Sequence, residues 1–202
     1  MMETLNQSLF LMINATPESP AWLLQLATFI AKDLILIVPI LGAVMWFWGA
    51  PEQMKARRKV VFKVAVAIVV GLFLSWIIGQ LFPHERPFAS GIGYNFLHHK
   101  PNNSFPSNHG TIIFTFALGF LFWHRLWSGI VLLAVGVAIA WSRVYLGVHW
   151  PLDMVGGFIL ALICCAISQL IWYRSGVALL SAIVKVYRIV FGPLIRKGWI
   201  HN

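Results

Sequence analysis

Five apolar stretches run along the chain, at about Leu34–Gly49, Val60–Leu81, Gly110–Trp123, Leu126–Val148 and Met154–Tyr173. Each is long enough, with its flanks, to cross or nearly cross a hydrocarbon layer ~30 Å thick, which takes roughly 20 helical residues. Two further stretches are less regular. Residues 20–31 are apolar but end at Lys32-Asp33, a pair that is costly at mid-bilayer, so the pattern places it near the outer interface with Asp33 capping the helix that follows. One long tilted helix from Trp22 to Trp48 is the alternative. Residues 177–195 are apolar but interrupted by Lys185 and Arg188, which suits a helix lying in the interface better than a sixth span. The expected fold is all-α: a polytopic membrane helix bundle of about five to six transmembrane helices, forming one domain over 1–202.

Composition agrees with that class. Hydrophobic residues make up 59% of the 202 positions and charged ones 10%, against about 25% charged in a soluble domain, and the mean hydropathy is +0.80. The net charge of +9 and a pI near 10.1 suggest nucleic acid at first sight. The basic residues argue otherwise, because they sit beside the apolar runs. Lys55, Arg57, Arg58, Lys59 and Lys63 follow the first crossing, Arg125 the third, and Arg174, Lys185, Arg188, Arg196 and Lys197 the fifth. With five crossings all of them share one side, which the positive-inside rule makes cytoplasmic. No nucleic-acid partner is expected, and no feature fixes an oligomeric state. Residues 1–33 become an outer interfacial segment, 174–202 a cytoplasmic basic tail, and segments 82–109 and 142–153 lie on the outer face. Cys164 and Cys165 are adjacent inside an apolar run and read as buried and unbridged. The first twenty residues contain no Lys or Arg, so no cleavable signal is expected.

The two outer segments gather ionisable groups beside the membrane, including His84, His98, His99, His109, His149, Arg86 and Arg143. Such groups are functional candidates by default. Each piece alone has a plain structural reading. His149 and Asp153 are four apart near a helix start at Pro151, so imidazole and carboxylate share a helical face, either as a structural bond or as a base whose tautomer the carboxylate fixes. Ser107 precedes an apolar run as an N-cap, and the free N–H groups after it form an anion cradle or only a cap. Arg86 and Arg143 either fork onto phosphate oxygens or snorkel to the interface.

In combination, Arg86-Pro87, then Pro106-Ser107-Asn108-His109, then Ser142-Arg143 followed by His149 and Asp153 resembles the three-part signature of the type-2 phosphatidic acid phosphatase superfamily. That family is similar in its catalytic core to glucose-6-phosphatase and the vanadium haloperoxidases. The resemblance spans residues 60–173, and the branch most resembled is the bacterial undecaprenyl-diphosphatases of the bacitracin-resistance type. Two departures stand out. The Lys that usually opens the first element, seven residues before its Arg, is Gly79 here, so one phosphate contact is missing or falls to His84 or Lys100. The second element has Asn108 where the family usually has Gly and this branch often has an acid.

The resemblance implies His149 as the nucleophile forming a phosphohistidine, Asp153 as the group that holds its ring, and His109 as the general acid. Arg86, Ser107, Arg143 and backbone N–H groups near Asn108 and Gly110 would hold the phosphate oxygens, with His84 in support. It implies no metal and no cofactor. A metal site among His84, His98, His99 and His109 is the competing reading, without a recognisable ligand spacing; His98 and His99 are instead expected in a lid with Tyr94, Phe96 and Leu97. The implied substrate is undecaprenyl diphosphate, a polyprenyl diphosphate lipid, met among membrane lipids at the periplasmic face of a bacterial inner membrane. Phosphatidylglycerol phosphate or diacylglycerol pyrophosphate is the runner-up. A small transporter or flippase using Lys32, Asp33 and the histidines is the alternative of a different class.

Overall fold

The computed structural model describes residues 2–201, which among themselves form helices and connecting loops with no strand. An amphipathic helix, α1 (Met2–Ile13), comes first. Next, α2 (Ala21–Lys32), one 3-10 turn at Leu34–Leu36 and α3 (Ile37–Phe47) join into an apolar run of 27 residues. The cap expected at Asp33 does not form. Its backbone is helical and its side chain makes no capping bond. Lys32 and Asp33 are both exposed on the helix surface. The long-helix alternative is the one realised.

The bundle proper consists of α4 (Pro51–Leu81), α5 (Asn108–Trp123), α6 (Leu126–Tyr145) and α7 (Pro151–Ile171). Pro at the first position of α4 and of α7 matches its preset φ and missing N–H to a helix start. After α7 a π-helical turn, Trp172–Gly176, leads with no loop into α8 (Val177–Val190), and a short α9 (Gly192–Arg196) follows. Thus α8 prolongs α7 into one helix of 40 residues; no break separates an interfacial helix from the last span. Among the described residues four runs are long and apolar enough to cross a membrane: Ala21–Phe47, Pro51–Leu81, Leu126–Tyr145 and Pro151–Val190.

Helix α5 is the exception, with 16 residues and a length of about 24 Å. It is buried along nearly its whole length between α4, α6 and α7, so its length need not match the lipid. Because lipid tails are as apolar as leucine, helices in a membrane gain most by close packing at small residues. Gly157 on α7 shows the effect: a Cβ there would lie 3.0 Å from the Thr111 nitrogen and 3.2 Å from the Ser107 oxygen. That close approach seats the start of α7 on the start of α5, and Ser107 N–H donates to the Asp153 carbonyl at 3.2 Å.

Helix α1 covers this same end. Phe10 is fully buried against Trp150, with ring centroids 5.1 Å apart. Asn6 accepts from Leu152 N–H at 3.1 Å, while the Asn14 amide donates to the Tyr94 and Tyr145 carbonyls. The N-terminal segment is therefore docked through polar bonds to loop and helix-end groups as well as apolar contact.

Candidate active site

The C-terminal ends of α4 and α6 and the N-terminal ends of α5 and α7 converge on one polar cluster. At the start of α5, Ser107 is the N-cap, its Oγ accepting from Gly110 N–H at 3.3 Å and its carbonyl from Thr111 N–H at 2.8 Å. The Gly110 N–H expected in an anion cradle is thus engaged by the cap. Asn108 and His109, the first two residues of the helix, keep N–H groups without an intrahelical acceptor. The Asn108 side chain faces α4, where Ser75 Oγ donates to its Oδ1 at 2.6 Å. Its amide is therefore a strut between two helices.

The start of α7 supplies the second part. His149 lies just before the N-cap residue Trp150, and Asp153 is the third helical residue. Their pairing is a property of the helix cap, not of a shared helical face as the spacing suggested. Asp153 Oδ2 accepts from Trp150 N–H at 2.9 Å, from His149 Nδ1 at 3.1 Å and from Ser104 Oγ at 2.5 Å. A carboxylate only accepts, so Nδ1 carries the proton and Nε2 presents its lone pair. That lone pair faces Arg86 Nη1 at 3.2 Å and Ser107 Oγ at 3.3 Å. Complete burial pushes the His149 imidazole down to about 4, against the opposing pull of the Asp153 bond. The ring is neutral at neutral pH, the state a nitrogen nucleophile requires.

Two arginines complete the cluster. Arg86 is buried and oriented on every side: Nε donates to the Asn102 carbonyl and side-chain oxygen at 3.1 and 2.9 Å, Nη1 to Val148 O at 2.6 Å and Nη2 to Asn103 O at 3.2 Å. Burial lowers it to about 10, opposed by the Asp153 charge, so it stays a cation at neutral pH. Arg143 is 2% exposed, donates from Nη1 to Ala31 O at 3.2 Å, and has a buried Nε with no protein acceptor. An N–H buried without a partner costs about 1–3 kcal/mol unless a ligand accepts from it. His109 is half-buried within electrostatic reach of Arg143, His149, His99 and Arg86.

The remaining candidates take other positions. His84 lies behind the pair, with Nδ1 3.9 Å from Asp153 Oδ1 and Nε2 3.9 Å from Glu3 Oε1. Neither His84 nor Lys100 fills the space beside Gly79. Asn103 does: a Cβ on Gly79 would lie 2.6 Å from its Nδ2. The Asn103 amide donates to Phe105 O and accepts from His84 N–H, while its carbonyl holds Arg86. Asn102, Asn103 and Ser104 are functional candidates that motif reading missed; the one signal was a run of short polar residues immediately before the second motif. The expected lid is pinned, since Phe96 N–H donates to Leu146 O at 3.1 Å and Phe96 and Leu97 pack with Tyr145 and Leu146. His99 Nδ1 lies 3.0 Å from Lys100 O, and burial lowers its pKa. Among the described residues no group of three or more His, Cys, Asp or Glu side chains is placed to hold a metal ion. An open cavity of about 430 Å³ adjoins the cluster, bordered by His84, Glu85, Arg86, Asn102 and Asn103.

Comparison with known proteins agrees with this geometry. Residues 58–176 match the PAP2 superfamily. The chain is 56% identical over 202 residues, all of both chains, to the "Putative undecaprenyl-diphosphatase YbjG" of Escherichia coli (strain K12). It is 24% identical over 196 residues to the undecaprenyl-diphosphatase BcrC of Bacillus subtilis (strain 168), covering 96% of this chain and 97% of that one. Among solved structures, Aquifex aeolicus LpxE superposes with a TM-score of 0.67 at 26% identity, covering 82% of this chain and 94% of that one.

Proposed function

The chain belongs to the PAP2 superfamily, and from that premise we propose that it hydrolyses undecaprenyl diphosphate to undecaprenyl phosphate and inorganic phosphate. The reading rests above all on one observation: the lone pair of a neutral, Asp153-held His149 faces two phosphate-binding donors, Arg86 and Ser107. When a terminal phosphoryl group enters, those donors turn from Nε2 to its oxygens, and the freed lone pair points at phosphorus. His149 Nε2 forms the new N–P bond while the bond from phosphorus to the bridging oxygen breaks. His109 protonates that departing oxygen, and lipid phosphate leaves. The imidazolium character that develops on His149 is stabilised by Asp153. Water then attacks phosphorus, delivering its proton to His109, and the N–P bond breaks to release phosphate.

Charge on the equatorial oxygens is carried by Arg86, the unpartnered Nε of Arg143 and the first N–H groups of α5. In phosphoryl transfer such positioning and electrostatic stabilisation supply most of the acceleration. The positive-inside distribution supports a site on the periplasmic face of a bacterial inner membrane, where the reaction recycles the carrier lipid of cell-wall synthesis. Purified protein incubated with undecaprenyl diphosphate in EDTA is expected to release phosphate and to accumulate an acid-labile phosphoprotein. His149→Ala should lower release by more than about 10⁴-fold. Release that survives the substitution sinks the mechanism, and faster turnover of phosphatidylglycerol phosphate or diacylglycerol pyrophosphate sinks the substrate assignment.

A further inference from the structure

At the opposite end of the bundle, the first turns of α4 and the α5–α6 junction enclose a cavity of about 580 Å³. Arg57, Lys59, Lys63, His124 and Arg125 border it, and no carboxylate does. Among the described residues none of these five takes part in an ion pair. Solvated cations at a membrane boundary need no explanation beyond topology. This group differs, because part of it is buried and held in place.

Lys63 is 3% exposed. Its ammonium lies 3.8 Å from the centroid of the Trp123 ring and donates to Gln169 Oε1 at 2.5 Å, so an aromatic face and a neutral amide stand where a counter-ion would. The Arg57 guanidinium is oriented by Trp48 O and Gln53 Oε1, both at 3.1 Å. Arg125 has no side-chain partner among the described residues and is free to close on a ligand. A concave surface of one sign with low-dielectric walls focuses its field on whatever enters. One wall is Phe122, 53% exposed, and Leu126 and Trp127, which follow the lining residue Arg125 in the chain, are 67% and 63% exposed. Exposed apolar side chains therefore stand beside the cationic cavity.

We infer that this cavity is a second anion site, separate from the catalytic cluster, that takes a phosphate-bearing group with a net negative charge. The apolar wall favours the headgroup of an anionic membrane phospholipid, with its acyl chains against Phe122 and Leu126; free phosphate offers the same chemistry from solution. A basic pocket between helices on the positive side of a membrane protein suits such a headgroup. Its occupant would tie α4 to the α5–α6 junction, the far ends of the helices that carry the catalytic groups.

The test uses the full chain in nanodiscs, with Arg86→Gln in every protein so that the catalytic cradle does not dominate phosphate binding. Phosphatidylglycerol in a phosphatidylcholine background is expected to raise Tm and to remain bound in native mass spectrometry. Arg57→Gln with Arg125→Gln should weaken retention by about tenfold or more, whereas Lys55→Gln with Arg188→Gln, cations of the same end outside the cavity, should change it by less than about twofold. Phosphate release by the Arg57→Gln/Arg125→Gln pair with Arg86 restored reports that it is folded. Inorganic phosphate in pure phosphatidylcholine discs separates the sources: a Tm rise that depends on Arg57 and Arg125 assigns the site to soluble phosphate. Equal losses for the two pairs, or no difference between phosphatidylglycerol and phosphatidylcholine, overturns the inference.

Discussion

Arg86 and Arg57 stand at opposite ends of α4–α7, and their surroundings differ in kind. Arg86 is held by Asn102, Asn103 and Val148 and by the imidazole of His149, in a network that is buried at Val148 and His149 and part-buried at the two asparagines. Arg57 has two acceptors on a half-exposed surface, and its neighbours Lys59 and Lys63 lie against the rings of Trp172 and Trp123. At the first end every donor has a set direction before a ligand arrives, which is what catalysis by positioning needs. At the second the charge is concentrated and Arg57 is turned by one backbone and one side-chain acceptor, which suits an anion recognised by its charge. The same residue type, at the two ends of one bundle, thus meets surroundings that differ in how many backbone carbonyls lie beside it.

The sharpest way to break this contrast is Asp153→Asn. The three bonds from His149, Trp150 and Ser104 all end on Asp153 Oδ2, so an amide oxygen can keep them; what the substitution removes is the negative charge that stabilises the imidazolium forming on His149. The catalytic end should lose about 10³–10⁴-fold in kcat, measured as phosphate release; a loss under tenfold would mean that this charge does not stabilise the imidazolium.

Acid provides a second probe. The folded-state value near 4 for His149 lies below its ordinary 6.5, so the unfolded chain takes up this proton first. The contribution is fully present above the ordinary value, falls with pH between the two, and is gone below about 4, a loss of roughly 3 kcal/mol. Tm scanned across that window should fall with acid, and His149→Gln should flatten this part of the slope.

Gly79→Ala comes third. Its Cβ would meet the Asn103 amide at 2.6 Å, and moving that amide releases His84 N–H and Phe105 O. The expected destabilisation is about 1–3 kcal/mol, read as a lower Tm together with weaker substrate binding through the loosened Arg86. An unchanged Tm would show that the Asn103 position is not constrained. The smallest effect belongs to Ser104→Ala, which removes one of three donors to Asp153. A loss of about tenfold in kcat with KM nearly unchanged is expected; a change confined to KM would place Ser104 on the substrate.

Much of the site was legible because its motifs are local. Ser107 is recognisable as a cap from the residues that follow it, and His149 with Asp153 from Pro151 between them. Asn103 was not, since its role depends on a glycine 24 positions earlier that leaves room for its amide. Nor was the docking of α1, which depends on Phe10 meeting Trp150 and on Asn6 and Asn14 reaching the ends of α7 and α6. The Asp33 cap was misjudged because the helical backbone runs on through Asp33 into the 3-10 turn, which leaves no free helix start there to cap.

From the order of its residues alone this chain determines that it is a bundle of apolar helices, roughly where most of its apolar runs lie, and that its cations gather beside them. Those properties follow from helix periodicity and from the low solubility of charge in hydrocarbon, and both act over one or two turns. Only the tertiary structure decided which polar groups meet across the helix ends. It left an Nε of Arg143 free and engaged the Gly110 N–H, and it made a cavity at the basic end. Each of these depends on how closely two helices approach, and that distance is set by the small residues of one against the backbone of another.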